Sequence, residues 1–271
     1  MIRFEQLLIG TNPKTLSGGV RPCPRCLRAT SQASVSAGPV SLSALETQIQ
    51  KLSTAKASVM LCGFEPFQHP ELVGIVQTLA SSQVKRIAMR TDAAALANSQ
   101  DAQGAVDFGV RVFEVPFLPK EMDALSQAVA PLEASFAGIA GIRSAAATLG
   151  VTTFICADIS VCKHTAPYFM STVQAAVVAG VDAIKISASQ GVEAGKIATM
   201  LGGISGDNGS VGDAQTSMLD KAHSMATQSS IAFFGDGCEH FLQGAVLYEK
   251  KSETKTISGE KEAANNVWSD I

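Results

Sequence analysis

Short apolar runs alternate with longer stretches of helical periodicity along most of this sequence. Runs rich in Val, Ile, Leu and Phe occur at 4–9, 58–62, 85–91, 111–117, 151–157, 182–187 and 230–234. Most lack the polar–apolar alternation of a half-exposed sheet, which predicts strands buried on both faces. Between them, segments near 41–53, 70–83, 93–99, 133–149, 167–180, 190–201 and 213–227 are alanine-rich or carry apolar residues at helical spacing. Strands alternating with helices predict parallel pairing through right-handed crossovers. The fold class expected is α/β, a partial or complete parallel (βα) barrel of the TIM-barrel kind. A doubly wound open sheet is the alternative, and the lack of a glycine fingerprint after the first run counts against it.

Two helices are marked at their ends. The segment 133–149 places Phe136, Ile139, Ile142 and Ala146 on one face and stops at Gly150, a residue type suited to the left-handed C′ position. The other begins near Pro167 and runs to Gly180. Residues 1–248 read as a single domain, and 249–271, polar and charged, as a flexible tail. The glycine-rich stretch 202–212 reads as a linker, with a phosphate cradle as the alternative.

Composition narrows the function classes. The chain has 271 residues, 46% of them hydrophobic and 17% charged, so it has the means for a large core. A net charge of −3 with no basic block argues against a nucleic-acid surface. The N-terminus has no signal-like apolar segment, and no stretch is long and apolar enough for a membrane span, which makes the cytoplasm the expected location. Six cysteines are too dilute for a disulfide scaffold and point to metal or catalysis instead.

Pro22-Cys23-Pro24-Arg25-Cys26 lies in a Gly/Pro-rich loop after the first strand. Two thiolates at this spacing can share a metal ion, hold two corners of an iron–sulfur cluster, or act as a redox dithiol; two inert cysteines are the plain alternative. A second motif, Cys62-Gly63-Phe64-Glu65-Pro66-Phe67-Gln68-His69-Pro70-Glu71-Leu72, closes the second major strand and opens a helix. A strand ending in Gly-x-Glu-Pro and followed by His-Pro resembles the second strand and helix of radical S-adenosylmethionine enzymes. The Cys23–Cys26 loop sits where that family carries CxxxCxxC, and Arg90-Thr91-Asp92 where it often carries Thr-Asn-Gly.

The resemblance spans about residues 3–235 and implies a partial (βα) barrel holding a [4Fe-4S] cluster and S-adenosylmethionine. It implies reductive cleavage of that cofactor to a 5′-deoxyadenosyl radical, which abstracts hydrogen from a substrate. On this reading Cys23 and Cys26 bind the cluster, and Gly63, Glu65 and Pro66 shape the methionine site. Two departures stand out. The family's first cysteine would fall on Gly19, and Phe64 replaces the second glycine, setting a ring where backbone would approach the cofactor.

Cys62, Cys156, Cys162 and Cys238 all fall at or after predicted strand ends, the face that hosts active sites in barrels. Cys62 is therefore the candidate third metal ligand, with burial as a small apolar residue the alternative. Zinc is the alternative metal, held by Cys23, Cys26 and either Cys162/His164 or Cys238/His240. His69 is expected to cap or pack, and His223 to sit on the surface.

Charged residues inside strands are the last clue, because a doubly buried strand admits an ionised side chain only toward a mouth or a partner. Arg90, Glu114 and Lys185 qualify. Lys185 and Ser187 share a strand face. Arg90 and Ser187 are candidates for cofactor contact, and Lys185 and Glu114 for catalysis. The segment Ala179–Ser187 also resembles the Schiff-base strand of deoxyribose-phosphate-type aldolases, which makes a lyase using a Lys185 of lowered pKa a further alternative. A third is a cluster-free barrel acting as a binding or scaffold subunit. The substrate, a small molecule or a peptide, is not legible, and an open barrel edge leaves room for a protein partner.

Overall fold

The computed structural model describes residues 4–11, 38–93, 95–118, 132–188, 196–202 and 218–235. In chain order the strands are β1 (Phe4–Leu8), β2 (Gly10–Thr11), β3 (Gly38–Pro39), β4 (Ser58–Cys62), β5 (Arg86–Arg90), β6 (Val110–Phe117), β7 (Phe154–Val161), β8 (Ala183–Ala188) and β9 (Ala232–Gly235). The helices are α1 (Leu42–Thr54), α2 (Leu72–Ser81), α3 (Ser99–Asp107), α4 (Leu132–Leu149), α5 (Phe169–Val178), α6 (Ile197–Gly202) and α7 (Met218–Gln228).

Seven strands form one parallel sheet in the order β1-β4-β5-β6-β7-β8-β9, while β2 and β3 make a small antiparallel ribbon. The major strands follow chain order with no switch point, which removes the doubly wound alternative and leaves a partial parallel barrel. The helices cover one face. Leu7, Val59, Leu61, Met89, Phe113, Ile155, Ile184 and Phe233 from the strands join helix residues such as Leu45, Ile75, Ile142 and Val173 in one continuous core. Residues of the opposite strand parity form the inner face.

Local chemistry explains most boundaries. Gly150 takes φ +64°, and Val151 N–H bonds Ala146 O at 3.0 Å, so α4 ends in a Schellman turn. That turn delays β7, expected over 151–157, to Phe154. The strand then runs on to Val161, because Asp158 and Ser160 face the inner side rather than marking a loop. The helix expected over 93–99 forms later. Residues Ala95–Ala97 make one 3₁₀ turn, and Asn98 accepts from Gln100 N–H at 3.1 Å to start α3 at Ser99. Pro167 falls in a 3₁₀ turn just before α5. The helix expected over 190–201 is described only as α6.

α4 packs very close to the chain between β5 and α3. A Cβ on Gly138 would fall 2.2 Å from Ala93 O, and one on Gly141 2.0 Å from Leu96 O. The tail 249–271, the 203–212 stretch, and Cys23, Cys26, Cys238 and His240 lie outside the described residues.

Candidate functional site

The inner face is stratified along the strands. Met60, Ala88, Val112 and Phe154 are register partners on β4 to β7 and, with Ala183, form an apolar floor. One pleat toward the C-terminal ends lie Arg90, Glu114 and Cys156, again register partners. Asp158 pairs in register with Lys185, and Ser160 with Ser187 beyond them. Every one of these side chains follows the two-residue period of its strand.

Polar contacts knit this layer. Arg90 Nη2 pairs with Glu114 Oε1, and Lys185 Nζ lies 3.2 Å from Glu114 Oε1 and 3.3 Å from Oε2. Ser187 donates to Asp158 Oδ1. Arg90 and Glu114 are buried, each with a side chain only 9% exposed. Burial by itself would lower the pKa of Lys185, but Asp158 and Glu114 outweigh it and leave the ammonium above its ordinary value. The lowered pKa expected of a Schiff-base lysine is thus corrected: the carboxylates hold the proton on. Arg90 behaves likewise, raised by Glu114 and Asp158 against burial. Two of its donors, Nε and Nη1, have no hydrogen-bond partner among the described residues.

The described thiols on this face are buried. Cys62 is buried, its Sγ 3.9 Å from Leu7 O, and burial pushes its pKa to about 11. Cys156 is raised further by burial and by the carboxylates of Glu114 and Asp158. Cys156 also lies inside β7 rather than at its end, which corrects the expected gathering of cysteines at the mouth. Cys162 follows β7, buried in a turn where its sulfur accepts from His164 N–H at 3.4 Å.

The Gly-Phe-Glu-Pro turn sits at the C-terminal end of β4. Gly63 has φ +87°, and a Cβ there would meet Gly10 O at 2.5 Å, so this position requires glycine twice over. Glu65 ties the turn to the next strand. It accepts from Thr91 Oγ1 at 2.6 Å and from Asp92 N–H at 2.9 Å. Pro66 is buried at the start of a 3₁₀ turn. Phe64 packs against the helix-side core and edge-on to His69 at 6.0 Å, so its ring turns away from the inner face it was expected to crowd. His69 Nδ1 accepts from Glu71 N–H at 3.1 Å, which leaves Nε2 to donate to Val40 O at 3.0 Å. His223, expected on the surface, is half-buried against Phe233 at 5.9 Å.

Of the proposed site residues, Cys62, Arg90, Glu114, Lys185 and Ser187 thus share the inner face, and Gly63, Glu65 and Pro66 form the turn at its rim. Asp158 escaped the sequence reading, although its spacing from Cys156 is the signal that would have found it. Among the described residues no group of three or more His, Cys, Asp or Glu side chains is placed to hold a metal ion. No helix among them is long and apolar enough to cross a membrane.

The class defined by fold and site is a partial parallel barrel with a polar inner face. No protein-family model and no curated protein matches the chain. Solved structures do. Streptococcus suis SuiB bound to S-adenosylmethionine aligns at TM-score 0.54 and 11% identity, over 86% of this chain and 50% of SuiB. SuiB bound to precursor peptide SuiA aligns at 0.54 and 11%, over 94% and 53%. The chain therefore spans about half of SuiB, and at this identity the likeness is one of fold. Two others fall below a useful level: the radical S-adenosylmethionine methyltransferase TsrM of Kitasatospora setae (0.48, 9% identity, 68% and 36% covered) and 2,3-dimethylmalate lyase (0.40, 11%, 81% and 82%).

Proposed function

We propose that the chain is a radical S-adenosylmethionine-type barrel protein that binds a small organic molecule at the C-terminal mouth of its sheet, with S-adenosylmethionine the first ligand to test. The observation that carries this reading is the Gly63–Pro66 turn at the rim, locked to β5 through Glu65, Thr91 and Asp92. The fold shared with SuiB, a protein solved with S-adenosylmethionine, supports it.

The cluster is the weak half of the resemblance. Cys62, the candidate third ligand, is buried with its Sγ 3.9 Å from Leu7 O. Cys23 and Cys26 leave the set one short of the family's three. We therefore favour the cluster-free alternative, a binding barrel, over radical chemistry. The Schiff-base lyase recedes, because an ion-paired ammonium of raised pKa is a poor nucleophile.

Anaerobic reconstitution with iron and sulfide, followed by metal analysis and a visible spectrum, separates the two readings. Equilibrium dialysis against S-adenosylmethionine runs alongside. The expected result is cofactor retention without stoichiometric iron. A full cluster would restore the radical reading, and loss of both would overturn the family assignment.

A further inference from the structure

We propose that the inner face around Arg90 is a binding site for a small organic carboxylate, a compact acid carrying a hydroxyl or ammonium group beside its carboxylate. This names a substrate class for the mouth proposed above and rests on that reading only in calling the ligand a substrate.

The argument starts from unused donors. Arg90 offers five N–H groups, and its Nε and Nη1 have no hydrogen-bond partner among the described residues although the side chain is only 9% exposed. Folded proteins rarely leave buried donors unmatched, and a site that does so fits an acceptor brought from outside. The Glu114 carboxylate is already committed. Glu114 Oε1 is shared by Arg90 and Lys185, and its Oε2 also faces Lys185. Asp158 takes the Ser187 hydroxyl.

Charge and shape select the ligand. Arg90 and Lys185 are balanced by Glu114 and Asp158, so a dianionic phosphate would be set against two carboxylates in the same layer. A carboxylate brings one negative charge and two planar acceptors that suit a guanidinium. Lys185, with a side chain 27% exposed, joins Arg90 on Glu114 and is the more solvent-accessible of the two cations. Asp158, one pleat nearer the mouth, is placed to accept from a hydroxyl or ammonium. The apolar floor of Met60, Val112 and Phe154 stops a polar group from going deeper.

The test follows the Arg90 Nε–H resonance of the ¹⁵N-labelled full chain, assigned by its loss in Arg90→Lys. Lactate and alanine are the probes, and lactamide and methyl phosphate the controls. Lactate or alanine should move the resonance saturably, lactamide should not, and calorimetry should show Arg90→Lys weakening the acid by about tenfold. If Arg90→Lys does not fold, Asp158→Asn, which keeps both ion pairs of Glu114 and removes the charged acceptor for the ammonium, should weaken alanine by calorimetry. An unresponsive resonance would sink the proposal, as would tighter binding of methyl phosphate or an undiminished affinity for alanine in Asp158→Asn. A lactate response with no S-adenosylmethionine retention would overturn the family reading alone.

Discussion

Lys185 on β8 reaches across β7 to Glu114 on β6, its Nζ 3.2 Å from Oε1 and 3.3 Å from Oε2. The strand between them supplies Asp158, the register partner of Lys185, whose charge also raises the lysine. An ammonium held between two carboxylates is a fixed charge rather than a latent amine.

This pairing predicts an alkaline limit to stability. A lysine raised in the folded state contributes stability that is whole below its unfolded pKa, near 10.4, and is lost as pH climbs through the higher folded value. Chemical denaturation from pH 9 to 12 should show this loss, and Lys185→Met should lack that part of it. Borohydride with a carbonyl compound at neutral pH should leave Lys185 unlabelled.

Removing the shared acid should be costly. Glu114→Gln leaves the buried Arg90 without its ion-pair partner, a change of about 3–5 kcal/mol in comparable buried pairs. Urea unfolding measures it. A loss within experimental error would mean that the three side chains act independently.

Cys62 provides a second pH signature. Its folded thiol titrates at about 11 against an ordinary 9.0, so between those values the unfolded chain ionises first and stability falls as pH rises. Cys62→Ala should flatten that part of the profile. In the native protein at pH 8, thiol reagents should leave Cys62 and Cys156 unmodified until denaturant is added.

The rim turn is exposed to a single methyl group. Gly63→Ala forces an L side chain to φ +87° with its Cβ 2.5 Å from Gly10 O, for an expected loss of about 1–3 kcal/mol or more. Glu65→Ala, which removes the acceptor for Thr91 and Asp92, should leave the fold intact and weaken ligand retention at the mouth. Equal loss of stability and binding in both variants would reduce the turn to a purely structural role.

Much of this architecture was legible because doubly buried strands advertise themselves. The runs at β4, β5 and β8 were placed within a residue or so, and the lone charges within them, Arg90, Glu114 and Lys185, were assigned a common destination. The strand end was less legible. β7 was ended at residue 157, one short of Asp158, because an inner face that is wet at one end breaks the apolar run before the strand stops. Sequence also could not say that Phe64 would turn to the helix side, since that depends on Gly10 and His69. Nor could the Leu42 N–H bond to Glu71 be foreseen, an acid capping a helix from another element at 3.0 Å.

The alternating parity of the strands has a consequence for how this chain tolerates change. Volume-conserving substitutions on the helix side touch packing and leave the inner face alone. Insertions and deletions are different. One residue lost inside β6 would carry Glu114 among the helices and bring Phe113 or Val115 into its place, discharging the layer while every other amino acid stayed the same. In a lineage of such barrels, length within β5 to β8 would be held more tightly than identity.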